Sequence, residues 1–387
     1  MIRGFVKTSL VLLLLSGLSA CSLFSSDEEV VVKPRTLQDL KKTEIQLTEV
    51  WSKTIGKGVG SGYATLRPAI DNNVIYVAGA EGTVFALDAT TGKVKWKVDL
   101  GVPVGGGVTV SAQKVLLGTL NGEVIALNQD NGSVLWKARV SSEVLSVPVI
   151  DNNFVIVKSL DDQVTALNAT TGKRVWDHSV LQPPLTLRAA SAPAIAAHSA
   201  VIAGYTNGNV SALNLKDGSL LWNTKIAIPE GSTDLERMVD VDTTPLIVGD
   251  TIFTASYQGN VVALDLYSGR ERWSKPFSTY HALAQGFGSI YITAQNGFVS
   301  SLDQLSGAAN WRQEGLEART VSAPATFNNY VVVGDYQGYI HLLSQVDGSF
   351  AGRYKTGSSS IKAQPLVMDN MLYVFNSDGK LIALKKR

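Results

Sequence analysis

Side chains that often carry catalysis or bind metals are few in this chain of 387 residues. The four histidines have no metal-ligand spacing and the one cysteine has no partner for a zinc or redox pair; these residues are His178, His198, His281, His341 and Cys21. No Gly-x-Ser-x-Gly motif, P-loop or dinucleotide fingerprint occurs. Acidic turns with glycine, such as residues 88–92, are much shorter than a calcium-binding loop. The sequence therefore predicts a protein that is not an enzyme and that has no metal and no cofactor.

The N-terminal residues have the layout of a secretory signal. Arg3 and Lys7 precede a short apolar run, and a stretch of mostly small residues follows it up to Cys21. The run is too short to remain as a membrane-spanning helix, which needs about 20 apolar residues. Residues 18–21, Leu-Ser-Ala-Cys, resemble the bacterial lipobox, in which cleavage before the cysteine leaves that residue acylated. We therefore expect a signal peptide at 1–20 and lipid attachment at Cys21, the alternative being an ordinary signal peptide whose cysteine is incidental.

Lipidation would account for Cys21, which is the only cysteine and so has no disulfide partner in an extracytoplasmic chain. Several acyl chains would anchor the protein stably, because each buried methylene contributes about 0.8 kcal/mol. Ser22 follows the cysteine, and in lipoproteins of this kind the absence of Asp there indicates routing to the outer membrane, on its periplasmic side. Residues 21–48 mix charges with few aromatic side chains, so we expect a lipidated N-terminus and a flexible tether, or else a short amphipathic helix at 36–45.

The composition indicates a soluble, turn-rich protein with a sizeable core. Hydrophobic residues make up 45% of the chain and charged residues 17%, and there are 35 glycines. The formal net charge is +1, so the chain lacks the basic excess of a nucleic-acid-binding protein. We therefore expect no nucleic-acid partner and a folded body at 49–387.

The body is built from copies of one hairpin. Residues 122–136 comprise a short apolar strand, a turn with Asn, Asp and Gly, and the start of a strand that reaches Trp136. The pattern Gly-x-Val-x-Ala-Leu-Asp/Asn-x-x-x-Gly-x-x-x-Trp recurs, and its copies begin at 82, 122, 162, 208, 259, 297, 338 and 379. Spacings of about 40 residues are typical of a repeat array in which each unit is buried by its neighbours.

Two more apolar segments precede each hairpin, so that every repeat contains four short strands. This spacing matches the blade of a β-propeller, and proline and glycine interrupt every window that could form a helical repeat. Consecutive apolar residues in the third strands, such as 124–127, indicate burial on both faces, which stacked blades provide. The fold class we predict is all-β: an eight-bladed β-propeller of four-stranded antiparallel blades.

The two ends of the chain are predicted to share the eighth blade. Val50-Trp51-Ser-Lys resembles the fourth strand of a repeat, whereas the last copy has three strands and no fourth. Pairing the two would close the ring and remove exposed sheet edges. All seven tryptophans occupy one repeat position, which predicts that they pack between blades with the indole N–H on a backbone acceptor: Trp51, Trp96, Trp136, Trp176, Trp222, Trp273 and Trp311.

Two repeats are longer than the rest, and their surplus residues are candidates for binding. The insertions are 177–190 and 223–240. Loops lengthened on a rigid scaffold are where binding usually lies. The alternative is that the leucines of the first insertion pack under their own loop, while the two aspartates near the second pair with an arginine of either insertion. The candidate partner-binding residues are Leu185, Leu187, Arg188, Arg237, Asp240 and Asp242.

The repeat resembles that of quinoprotein dehydrogenases, which is shared by a set of non-enzymatic propellers. The lipobox, the Ser-Leu-Phe that follows it, the eight copies and the closure by the N-terminal strand together resemble the propeller lipoproteins of the outer-membrane β-barrel assembly machinery. The resemblance covers 3–384 and is specific at 183–188, Pro-Pro-Leu-Thr-Leu-Arg, and at 240–245, Asp-Val-Asp-Thr-Thr-Pro. It implies a non-enzymatic scaffold that contacts the periplasmic POTRA domains of the barrel-inserting subunit through these loops and aids insertion of barrel precursors.

Two other functions are alternatives to the scaffold. A quinoprotein dehydrogenase would need a calcium-type site, a general-base Asp and larger blades, and many members carry a cysteine pair that this sequence lacks. A periplasmic propeller that binds peptides or cell-wall components is the runner-up, since propellers commonly offer a channel mouth. The inner strands hold few charges, Arg67 and Lys362 among them, so no charged ligand is indicated. Direct contact with unfolded outer-membrane protein precursors is a further hypothesis.

Overall fold

The apolar and turn residues of each repeat fold as paired strands. The computed structural model describes residues 32–40, 42–59, 66–151, 153–188 and 191–387. The expected signal peptide at 1–20 and the expected lipid site at Cys21 lie outside these residues. The described residues form strands, turns and irregular segments and no helix, so a helix able to cross a membrane is absent from them.

The described residues form eight four-stranded antiparallel sheets, the blades of a propeller. Blades 1 to 4 contain β2 Ala69–Asp71, β3 Val74–Ala78, β4 Thr83–Asp88 and β5 Val94–Asp99; β6 Thr109–Ser111, β7 Lys114–Gly118, β8 Glu123–Asn128 and β9 Val134–Arg139; β10 Val149–Asp151, β11 Phe154–Lys158, β12 Val164–Asn168 and β13 Arg174–His178; β14 Ala194–Ala196, β15 Ala200–Gly204, β16 Asn209–Asn214 and β17 Leu220–Lys225.

Blades 5 to 8 follow the same order, except that the last blade takes its fourth strand from the start of the chain. They contain β18 Leu246–Val248, β19 Thr251–Ala255, β20 Asn260–Asp265 and β21 Glu271–Pro276; β22 Ala284–Gly286, β23 Ser289–Thr293, β24 Val299–Asp303 and β25 Ala309–Gln313; β26 Ala325–Phe327, β27 Tyr330–Gly334, β28 Tyr339–Ser344 and β29 Phe350–Lys355; β30 Leu366–Met368, β31 Met371–Phe375, β32 Lys380–Lys386 and β1 Leu47–Thr54.

The first strand of each blade is the shortest and lies nearest the ring axis. Strands β2, β6, β10, β14 and β18 contact one another in sequence, as do β22, β26 and β30. The predicted eight-bladed all-β fold is therefore confirmed, with its channel bordered by these strands and by the loops that precede them.

The third strands are buried on both faces, as their consecutive apolar residues predict. In β8, Ile125 and Leu127 pack in a cluster with residues of blade 1, whereas Val124 and Ala126 pack with residues of blade 3. All four side chains are fully buried. Each blade is thus held between its neighbours by apolar contacts, which stabilise the ring without a single central core.

The tryptophans join successive blades, which confirms their predicted packing. Each indole Nε1–H donates to a carbonyl in the hairpin turn of the next blade, at 2.8–3.0 Å. The glycine of that hairpin turn lies against the indole. For example, a Cβ on Gly132 would come within 2.7 Å of Trp96 Cε3. Gly132 also has a φ of 73°, so both its backbone and its contact require the absence of a side chain.

The chain ends close the ring. Strand β1 pairs antiparallel with β32, with Trp51 opposite Ala383. Trp51 also donates to Ala89 O of blade 1 at 2.8 Å, which joins blade 8 to blade 1. The predicted closure is confirmed.

Blade 7 has Gly352 where the other blades have tryptophan, and the chain start occupies the free space. The N–H groups of Glu44 and Ile45 donate to Ala351 O at 2.7 and 3.2 Å. A Cβ on Gly352 would come within 2.4 Å of Ile45 O. Ile45 is 2% exposed and packs among apolar residues of blades 7 and 8. An isoleucine from the N-terminal side therefore seals the interface between these two blades.

Residues 34–40 and 42–46, called here the N-terminal segment, lie within the range expected to be a tether. They are extended and bonded to the propeller, so the short helix considered for 36–45 is not formed. Arg319 Nη1 donates to Arg35 O at 2.9 Å, and Arg353 Nη1 donates to Gln38 O at 3.0 Å. Arg319 is itself fixed by a buried ion pair with Asp335 at 2.7 Å. The compact unit that contains the propeller spans Pro34–Arg387 and so begins ahead of the expected propeller boundary at residue 49.

Candidate partner-binding surface

The two insertions form neighbouring loops, called here the insertion loops. The first connects β13 to β14, between blades 3 and 4, and the second connects β17 to β18, between blades 4 and 5. Residues 189–190 of the first loop lie outside the described residues. Longer repeat spacing in the sequence therefore locates both loops correctly.

Hydrogen bonds join the two loops. Leu187 N–H donates to Asp240 Oδ1 at 2.9 Å, and Ala192 N–H donates to Thr244 Oγ1 at 3.3 Å. Asp240 is completely buried, so its bond to the Leu187 backbone is shielded from water. The second loop consequently fixes the backbone of the first beside Arg188.

Arg188 pairs with Glu143 rather than with either aspartate. Its Nη2 contacts Oε2 of Glu143, a residue of the loop that precedes the inner strand of blade 3. Arg237 is exposed, and in the described ranges its side chain makes no ion pair. The arrangement in which Asp240 or Asp242 pairs with one of these arginines is therefore not formed among the described residues.

The leucines of the first insertion loop differ in exposure. Leu185 is 42% exposed, whereas Leu187 is half-buried. The chain thus presents one apolar side chain openly and keeps the other partly covered beside Arg188. Of the predicted residues, the structure groups Leu187, Arg188 and Asp240 through direct or adjacent contacts.

Asp240 and Asp242 are buried carboxyl groups that ionise with difficulty. Burial, and to a lesser extent the charge of Asp242, raises the pKa of Asp240 to about 7. Burial raises the pKa of Asp242 to about 6, although the charge of Lys158 opposes the shift. The Ser191 N–H lies near enough to lower the pKa of Asp242 but does not complete a hydrogen bond to either oxygen. Both aspartates therefore lie under the surface as titratable groups, and Asp240 also positions the first loop through Leu187.

A buried ion pair lies under the insertion loops. Lys158 Nζ contacts Asp162 Oδ1 at 2.9 Å and donates to Gly204 O at 2.6 Å. Asp162 Oδ2 accepts from both the N–H and the hydroxyl of Thr206. Asp162 has a φ of 59°, in the left-handed region that the repeat usually gives to glycine.

This ion pair was missed in the sequence, although two departures from the repeat point to it. Asp162 replaces the glycine that starts most copies, and Lys158 ends a strand whose counterparts end in small or apolar residues such as Ala78 and Gly118. A charge at a repeat position that is otherwise apolar requires a partner. Comparing copies position by position would have found both residues.

Three exposed apolar side chains on the insertion loops were also missed. Leu181 is 90% exposed, Ile228 67% and Leu235 59%. They lie in or next to the same surplus residues that identified Leu185, so the length signal that located the loops could have identified them too. Apolar side chains on two adjoining loops, beside Arg188 and Arg237, are suited to contact another protein.

The histidines have structural surroundings. Burial lowers the pKa of His281 to about 4 and also lowers the pKa of His341. Their contacts, given as His178 with Tyr205, His198 with Asp151, His281 with Tyr280 and His341 with Asp335, involve aromatic rings or single carboxylates. Within the part of the chain that the structure describes, no three His, Cys, Asp or Glu residues are placed to hold a metal.

Comparison with known proteins agrees with the resemblance seen in the sequence. The family model described as "Outer membrane protein assembly factor BamB" matches residues 46–106, 96–313 and 295–387. The chain belongs to this family. An outer membrane protein assembly factor BamB from Pseudomonas aeruginosa is 53% identical over 93% of this chain and 94% of its own length. The BamB of Escherichia coli strain K12 is 38% identical over 97% of both chains.

Solved structures share the fold. The crystal structure of BamB from Moraxella catarrhalis has a TM-score of 0.81 at 24% identity, covering 88% of this chain and all of that one. The quinohemoprotein alcohol dehydrogenase of Comamonas testosteroni has a TM-score of 0.72 at 15% identity, covering 91% of this chain and 78% of that one. The dehydrogenase is thus similar in fold alone, whereas the relatives with high sequence identity are named as assembly factors.

Proposed function

We propose that this chain is a non-enzymatic scaffold of the outer-membrane β-barrel assembly complex. It binds the periplasmic POTRA domains of the barrel-inserting subunit through its two insertion loops and aids insertion of barrel precursors. The names of its relatives, outer membrane protein assembly factors, support the general role.

The observation that supports the binding surface is the junction of the two loops. The Leu187–Asp240 hydrogen bond holds loops from neighbouring blades together at 2.9 Å. Around it, Leu185 is exposed and Arg188 is half-exposed. Arginine is one of the side chains that most often dominate binding energy at protein interfaces, and an exposed apolar side chain near it adds area that a partner can bury.

The membrane attachment is part of the same proposal. We place the signal peptide at 1–20, the lipid on Cys21 and the protein on the periplasmic side of the outer membrane. The tether expected within 21–48 would precede the N-terminal segment. The N-terminal segment supports an attachment at one fixed point of the ring, since Arg35 bonds to the carbonyls of Glu314 and Glu317 at 3.0 Å.

The double variant Leu187→Ala with Arg188→Ala tests the surface. Alanine at 187 keeps the backbone N–H that donates to Asp240, so the loops stay joined while the side chains are lost. We expect co-purification with the barrel-inserting subunit to fall at least about tenfold, since interface hot spots contribute roughly 2 kcal/mol or more each. Thermal unfolding measured by circular dichroism should be close to that of the wild type.

The matched control replaces one leucine and one arginine elsewhere on the ring. Leu305 is 87% exposed and Arg270 is exposed, and both lie in or beside hairpin turns of blades 6 and 5. The variant Leu305→Ala with Arg270→Ala should bind the subunit as the wild type does. If the Leu187/Arg188 variant also binds at wild-type strength, the surface is wrongly assigned.

A further inference from the structure

The loops that precede the inner strands enclose a cavity of about 310 Å³ at one end of the channel. Its described wall includes residues from loops before the first strands of seven blades. This volume is at the lower end of the range for small-ligand sites, roughly 300–1,000 Å³. Because loops of seven blades border the cavity, its shape depends on the fold of the ring.

Arg67 and Lys362 line this cavity without a carboxylate partner in the described ranges. Arg67 Nη1 donates to Gln364 Oε1 at 2.9 Å, and Gln364 Nε2 donates to Pro324 O at 2.7 Å. The guanidinium is therefore held in place by neutral groups. Burial lowers the pKa of Arg67, because the cavity wall removes water from a charge that has no counter-ion.

The position of these cations corrects the expectation drawn from sequence. Arg67 and Lys362 lie in loops that precede β2 and β30, not in the inner strands. From there both reach one cavity, although the residues are almost at opposite ends of the chain. The ring thus brings together two charges that the sequence separates, so their proximity was not evident from the sequence.

Asp242 adds an acceptor to the same cavity. It is 5% exposed, and neither carboxyl oxygen accepts a hydrogen bond from the described residues. A buried polar group without a partner costs about 1–3 kcal/mol. A ligand donor placed at Asp242 would relieve that cost.

We propose that the channel cavity binds a ligand that bears a carboxylate, with Arg67 and Lys362 as its ion-pair partners and Asp242 as acceptor for a donor group on the same ligand. A guanidinium can donate two parallel hydrogen bonds to a carboxylate. This ion pair is stronger where water is excluded. The carboxylate is either the C-terminal end of a peptide or that of a small free acid.

This site overlaps the proposed subunit contact at two residues. Arg188 and Asp242 line the cavity and also belong to the candidate partner-binding residues. Arg67 and Lys362 are outside the insertion loops, so variants at these two positions test the cavity alone. Loss of ligand with retained subunit binding would distinguish this inference from the proposed function.

The experiment is isothermal titration of the intact protein with three probes. The tripeptide Gly-Ala-Ala with a free C-terminus is compared with its C-terminal amide, and L-glutamate represents a small free acid. We expect the free-acid tripeptide to bind at least tenfold more tightly than the amide. Binding of glutamate as well assigns the site to small acids, and binding of the tripeptide alone assigns it to chain ends.

Variants identify the partner groups. Arg67→Gln should weaken binding of the free-acid probes at least tenfold and Lys362→Gln about threefold, while both keep subunit co-purification. Arg270→Gln and Lys216→Gln remove exposed cations outside the cavity and should leave binding unchanged. If Arg67→Gln does not fold, Lys362→Gln decides, since Lys362 is exposed. Equal affinity for acid and amide, or no binding of any probe at millimolar concentration, overturns the proposal.

Discussion

Asp240 is a buried carboxyl group that joins the insertion loops and whose burial disfavours ionisation. Its Oδ1 accepts from Leu187, whereas its Oδ2 has no hydrogen-bond partner among the described residues. Burial and the neighbouring Asp242 raise its pKa to about 7, so in the folded protein it binds a proton more tightly than an ordinary aspartate. Raising the pH through 7 therefore removes stability at this residue.

We expect Asp240→Asn to stabilise the protein more at pH 8 than at pH 5. The amide keeps an oxygen for Leu187 N–H and resembles the protonated acid. With a pKa raised from 3.8 to about 7, the wild type loses up to about 4 kcal/mol at pH 8, since each pKa unit corresponds to about 1.4 kcal/mol. The free energy of unfolding in urea at both pH values measures this.

The control for this titration is Asp234→Asn, an exposed acid of the same insertion loop. It should show the same difference from the wild type at pH 5 and pH 8. A constant difference for Asp240→Asn across the two pH values would contradict the assigned burial. Other titrating groups cancel because each variant is compared with the wild type at the same pH.

At the residue scale, the sequence indicates where the site lies better than what its side chains do. Leu185 and Arg188 were found because an insertion lengthens one repeat. The burial of Asp240 and Asp242 could not be found in this way, because it depends on the packing of one loop against another. Lys158 and Asp162 differ in this respect, since a comparison of the copies shows both as departures from the repeat.

At the scale of elements, the hairpin turn and the tryptophan of the preceding blade act as one unit. Gly269 in blade 5 has a φ of 67°, and a Cβ there would come within 2.5 Å of Trp222 Cε3. Gly249 in the same blade has a φ of 61° and open space around it. Both glycines thus have a left-handed backbone, but only Gly269 also contacts the neighbouring blade. Comparing them distinguishes the effect of the backbone from that of the contact.

We expect Gly269→Ala to destabilise the protein more than Gly249→Ala. The control should cost about 1–2 kcal/mol, the strain of a side chain in the left-handed region. Gly269→Ala adds an overlap with the indole that the ring cannot relieve without losing the Trp222 hydrogen bond to Leu266 O, so roughly 1–3 kcal/mol more is expected. Thermal unfolding midpoints of both variants provide the comparison, and equal shifts would mean that the turn does not support the blade interface.

The strands and turns were predictable because the repeat pattern contains both the turn glycine and the tryptophan that contact each other between blades. Glycine and tryptophan occur at fixed positions in successive copies, and the consecutive apolar residues of the third strands indicate burial on both faces. The inner strands were less predictable. They are only three residues long in the structure, as in Val149–Asp151, and are shorter than the apolar segments of the sequence.

For the whole molecule, ring closure depends on the chain start in two places. Strand β1 completes blade 8, and Ile45 fills the space beside Gly352 between blades 7 and 8. The eight-blade count and the pairing of the ends could be predicted from the sequence. The role of Ile45 could not be predicted, because the absence of tryptophan from blade 7 does not show which residue fills the space.

We expect Ile45→Ala to loosen the interface between blades 7 and 8. Truncating a fully buried isoleucine costs about 2–5 kcal/mol. Hydrogen exchange should accelerate in β29 and β32, while blades 2 to 4 exchange as in the wild type. Val346→Ala, at a side chain 88% exposed in blade 7, is the control and should change neither exchange nor stability. Uniform acceleration around the ring, or none, would exclude a local sealing role for Ile45.

The pairing of β1 with β32 also sets an order of events in time. Leu47 is made before any blade exists, and its partner Lys386 lies in β32, which follows all the other described strands in the sequence. The first strand must therefore remain unpaired while more than three hundred residues are synthesised. Contacts of such long sequence separation form slowly. Until β32 is available the ring has two open edges, so the nascent chain is most exposed to mispairing just before β32 is made.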